Sequence, residues 1–152
     1  MNTFRLALIL GLLAVLCACV EDITADDTAA FSILAQGNFA QSDDKRIQII
    51  NEQAGYDEVY VTLLNQSSTP QTIDFSRYQV LLVMTGAGHS VNTLKVERFN
   101  GLAEQVQVQL FTEYAGSNCP VPTVVTQPWL LVVFPRVIKP LLINERVAIK
   151  NC

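Results

Sequence analysis

Between residues 45 and 150, apolar and polar positions alternate mostly with the two-residue period of β-strands. Ile47, Ile49 and Ile50 alternate weakly and predict a strand over 45–51. The run Gln-Val-Leu-Leu-Val-Met-Thr at 79–85 is nearly all apolar and short, as a central strand buried on both faces would be. Residues 90–99 set Val91, Leu94, Val96 and Phe99 among polar neighbours. Residues 105–114 alternate cleanly, with Val106, Val108, Leu110 and Thr112 on one face. The other face is polar except for Phe111, which reads either as an interface contact or as a residue covered by a helix. A second apolar run at 129–134 is closed by Pro135, and 141–150 alternates again.

Turn chemistry separates these runs. Gly86-Ala87-Gly88 reverses the chain, Asn100-Gly101 is a hairpin signal that 102–104 could lengthen, and 115–122 is a loop. One segment has another period. Tyr56, Val59, Tyr60, Leu63 and Leu64 fall at i, i+3, i+4, i+7 and i+8, predicting a helix over 55–65. Asp57 and Glu58 suit its first turn, whereas β-branched Val59, Val61 and Thr62 oppose it. Together these elements predict a mainly β chain. It would form a single antiparallel, sandwich-like domain with one short helix, spanning 42–152.

The N-terminal pattern is of a different kind. Arg5 precedes an apolar run from 6 to 16, the layout of an export signal. The run is marginal for a spanning helix, which needs about 20 apolar residues. Leu16-Cys17-Ala18-Cys19 resembles a lipobox, with Cys19 in the lipid-carrying frame. The expectation is a cleaved lipoprotein signal peptide at 1–18, a lipidated N-terminus and tether at 19–41, and a chain held to a membrane of the bacterial cell envelope by lipid on Cys19. Ordinary secretion with cleavage near Ala18 is the plainer alternative. Each acyl CH₂ buried contributes roughly 0.8 kcal/mol, so two or three chains would anchor a domain stably.

Export changes the reading of the cysteines. With Cys17 removed and Cys19 lipidated, Cys119 and Cys152 remain, and an oxidising compartment favours one disulfide between them. Two free thiols is the alternative. Cleavage also shifts the charge. Nine basic and fourteen acidic residues would remain, a mildly acidic balance that argues against a nucleic-acid partner.

Catalytic chemistry is hard to assemble. His89 is the only histidine, its neighbour Ser90 would point to the opposite face of a strand, and no nucleophile-elbow motif is present. No phosphate-binding glycine loop and no metal-ligand spacing occur, so no enzyme activity, metal or cofactor is expected. Trp129, the only tryptophan, is either a recognition aromatic or a residue closing the core.

Three segments in order carry a resemblance. Ile73-Asp74-Phe75-Ser76-Arg77-Tyr78 precedes the apolar run. Gly86-Ala87-Gly88-His89 follows it. Thr126-Gln127-Pro128-Trp129 later opens a second apolar strand ending in Pro135-Arg136. This arrangement resembles the C-terminal domain family named after the protease complex subunit PrcB, over about residues 45–150. The family's Gly-Gly-Tyr turn is replaced here by Ala87-Gly88-His89. The resemblance implies a non-enzymatic accessory or binding domain that contacts a partner protein, with a protease complex as the candidate. Gly86, Gly88, His89, Pro128 and Trp129 are then the candidate binding residues. A fainter likeness is to chagasin-type inhibitors of cysteine proteases, which use a Gly-rich and a Pro-aromatic loop.

Overall fold

A computed structural model describes residues 30–88 and 90–152. The expectations for the signal peptide, Cys19 and His89 lie outside the described residues. Among the described residues seven strands form: β1 (Ser32–Gly37), β2 (Lys45–Ile50), β3 (Tyr78–Thr85), β4 (Val91–Gly101), β5 (Val106–Ala115), β6 (Trp129–Pro135) and β7 (Leu141–Lys150). They make a four-stranded sheet in the order β1-β6-β3-β2 and a three-stranded sheet in the order β4-β5-β7. The chain is mainly β and sandwich-like, as its alternation predicts.

The two apolar runs become the two inner strands of the larger sheet, β3 and β6. Leu81, Val83, Leu130, Val132 and Phe134 face the smaller sheet, where they meet Val96, Phe99, Val106, Val108 and Leu110. The alternate residues Val80, Leu82, Met84, Trp129 and Leu131 face outward, under Tyr56, Val59 and Leu64. These two strands lie between two cores, which is why they lack polar alternation.

The helical segment covers that second core. It is α-helical over Gln53–Glu58 (α1) and then widens into a π-turn over Val59–Leu63. Leu64 N–H donates to Val59 O at 2.9 Å, five residues back. The predicted face is kept, and Asn65, with φ of 51°, ends the element in the left-handed region.

Three features depart from expectation. Residues 32–37 are not tether: β1 pairs antiparallel with β6, from Ser32↔Val133 to Gly37↔Trp129. Its short, weakly patterned sequence suits an edge strand, which has one ladder to satisfy. The hairpin after β4 turns at 102–105, closed by Leu102 N–H to Gln105 O, so Asn100 and Gly101 remain in the strand. Finally, β5 and β7 pair in parallel, Val106↔Leu141 through Ala115↔Lys150. Strand direction does alternate along the chain. However, β6 lies in the other sheet, so its two sequence neighbours point the same way and pair beside each other.

The direction of each strand separates the molecule into two ends. β1, β3, β5 and β7 run toward one end; β2, β4 and β6 run away from it. Loops 38–44, 86–88 and 116–128 therefore gather at that end. The chain enters β1 at the opposite end, beside 102–105 and 136–140.

Candidate functional site

The loop end is knitted together by backbone. Gly88 forms an isolated two-way bridge with Thr126, donating at 2.9 Å and accepting at 2.8 Å. Ala87 N–H donates to Asp43 O, Thr85 N–H to Pro128 O and Gln127 N–H to Asn38 O, at 2.8–3.0 Å. The Gln127 side chain donates to Asp43 Oδ1 at 2.9 Å. The two loops singled out from sequence thus meet, and a third, 38–44, joins them. Sequence reasoning passed over that third loop because only its register along β1 and β2 brings it there.

The candidate residues within these loops divide by burial. Gly86 is buried with φ of 82°, and an added Cβ would stand 3.0 Å from Asp43 O and Lys45 N. Its role is to let the chain turn against 43–45. Gly88 has open space where a Cβ would be. Pro128 is buried, and Trp129 is 2 % exposed. The indole N–H donates to Phe39 O at 2.8 Å, and its ring lies on Gly37, where a Cβ would come within 2.7 Å. Trp129 is therefore a core residue of this sheet and does not present its ring as a recognition aromatic. The large apolar side chains that the described loops present here are Phe39, Val121, Val124 and Val125.

Beside the loops lies a cleft of about 400 Å³ between the edge strands β1 and β4. Gln36, Gly37 and Asn38 line it from the larger sheet, Val91, Asn92, Thr93 and Leu94 from the smaller, with Pro128 and Trp129 beside them. The two edges are held together at the far end, where Phe31 meets Phe99 at 5.4 Å and Phe99 stacks on Phe134 at 4.7 Å. At the loop end the cleft lies between these edges.

The opposite seam is closed by polar contacts. Thr112, fully buried, donates its hydroxyl to Glu145 Oε1 at 2.9 Å, and Lys45 of β2 pairs with the same carboxylate. The Lys45 bond, reinforced by Thr112, holds the Glu145 carboxyl below its ordinary range. On the outer face of the smaller sheet Phe111 is covered by Arg146 and Lys95, 4.1 and 5.0 Å from its ring centre. The helix lies on the other sheet. Glu97 bonds Arg146 at 2.6 Å, which lowers the pKa of its carboxyl.

Cys119 and Cys152 stand with sulfurs 2.07 Å apart and Cα atoms 5.0 Å apart, joining loop 116–128 to the end of β7. Among the described residues no three His, Cys, Asp or Glu side chains gather as a metal site. Among them, too, no helix is long and apolar enough to cross a membrane. No family model, curated protein or solved structure matches the chain.

Proposed function

We propose that the chain is a non-enzymatic lipoprotein of the bacterial cell envelope, anchored through lipid on Cys19, whose loop end contacts a partner protein. The observation that carries this reading is the polarity of the fold. The chain enters β1 at one end, while three loops locked by backbone bonds gather at the other. A tether at the first end leaves the second free to meet a partner, and rigidly held loops are where binding residues concentrate. Phe39, 61 % exposed, with Val124 and Val125 supplies apolar contact area.

The likeness to the PrcB family supports an accessory role and suggests a protease complex as the partner. The chagasin-like alternative would use Trp129 as an inserted aromatic, and burial of that ring weighs against it.

The test has two arms. Cys19→Ser should abolish acyl labelling and release the chain from the membrane fraction; labelling that survives would exclude the anchor. In intact envelopes, Phe39→Asp and Val125→Asp should remove the chain's dominant cross-linked partner, whereas Ile138→Asp at the opposite end should not. Equal loss from all three would remove the loop end as the contact surface.

A further inference from the structure

We infer that the cleft between β1 and β4 is a binding site for a small, neutral, polyhydroxylated ligand of the saccharide class. It adjoins the protein-contact surface proposed above, sharing loops 38–44 and 116–128 through Asn38 and Pro128, but does not depend on that reading. Its volume of about 400 Å³ is within the range of small-molecule sites.

The lining chemistry narrows the ligand. Gln36, Asn38, Asn92 and Thr93 bring three amides and a hydroxyl to one cleft, and among the described residues no charged side chain lines it. None of these four side chains hydrogen-bonds another described residue. Each amide offers donors and an acceptor, the hydroxyl both, so the set matches a ligand whose groups also do both. An anion or cation would lose its hydration here with no opposite charge to replace it.

The alternative neutral occupant is an extended peptide adding to a strand edge. Both edges are built against it. β4 shifts register between Val91 and Thr93 and again between Val96 and Arg98, and β1 shifts between Ile33 and Ala35. Such bulges interrupt the row of backbone groups that a new strand would need. What remains is side-chain recognition of a compact polar molecule, over a floor that includes Val91, Leu94 and Pro128.

Trp129 lines the cleft and is the only tryptophan, so its emission is a built-in reporter. The full chain, in a detergent without a sugar headgroup, is titrated with N,N′-diacetylchitobiose, with glucuronic acid and with acetyl-tetraalanine amide. A saturable emission change with the neutral disaccharide alone is expected. Gln36→Ala combined with Asn92→Ala should weaken it about tenfold, the size of two lost hydrogen bonds. The melting temperature should not move, because neither side chain bonds the rest of the fold. Should that double variant melt early, Asn38→Ala provides the same test with a smaller loss. No response to the disaccharide, an equal response to the acid or the peptide, or binding unchanged in these variants would overturn the inference.

Discussion

Trp129 shows what one residue's neighbours decide. Its sequence setting, after Pro128 and before an apolar run, fits a recognition aromatic and a core residue equally. Only the β1–β6 register, which sets Gly37 opposite it, settles the matter. The prediction follows from that pair. Trp129→Ala should cost about 3–5 kcal/mol of stability. Gly37→Ala should also destabilise, because its Cβ would fall 2.7 Å from the indole. Since both changes act on one contact, Gly37→Ala should cost far less when Trp129 is already Ala. Additive losses in urea denaturation would show that the two residues act separately. Glu145 gives a second residue-scale expectation. Its carboxyl pKa is lowered mainly by Lys45, so that part of the stability is present above the unfolded-state pKa. It is lost as pH falls through the lower, folded-state pKa. Lys45→Met should therefore destabilise by up to about 1 kcal/mol at pH 7, allowing for solvent screening of an exposed lysine. The deficit should shrink at pH 3, and a deficit of equal size there would remove the ion pair as its cause.

At the level of elements, strands with strong patterning were legible and pairing was not. The runs at 79–85 and 129–134 announce buried strands because both faces are covered, and the helix face at 56–64 is set by its spacing. β1 escaped because an edge strand of six residues, with Ile33 exposed, carries little apolar signal. Its contribution is measurable. A chain beginning at Ser42 loses the ladder to β6 and uncovers Leu131 and Val133. It should unfold at lower denaturant than a chain beginning at Ala30, and equal midpoints would return β1 to the tether. The cysteine pair was legible from parity and from the expectation of an oxidising compartment, though not its geometry. Joining residues 119 and 152 restrains the end of β7, an edge strand. Cys152→Ser should thus lower stability by about 2–4 kcal/mol. A loss below about 0.5 kcal/mol would indicate that the backbone bond from Gly116 N–H to Lys150 O already holds that end.

For the whole molecule, strand direction converts a list of loops into two ends with different surroundings. The sequence marked two of the loops through glycine and proline, but their meeting with 38–44 depends on seven alternating strands divided between two sheets. If Cys19 carries lipid, ten residues lie between it and Ala30, a reach of up to about 40 Å when extended. Such a tether starts from the end that bears Leu102 and Ile138, so that end should dwell nearer the bilayer than Phe39 does. Tryptophan quenching can read the difference. Ile138 is 77 % exposed and Phe39 61 %, so each accepts tryptophan without disturbing a core. Trp129, buried, supplies a constant background. In vesicles holding brominated lipid, the reconstituted Ile138→Trp chain should be quenched several-fold more than the Phe39→Trp chain, with wild type showing almost no quenching. Stronger quenching of Phe39→Trp would mean that the loops face the bilayer, where no soluble partner could reach them. A chain that fails to float with the vesicles at all would instead count against the lipid on Cys19, since the domain would then lack the anchor that gives its two ends different roles.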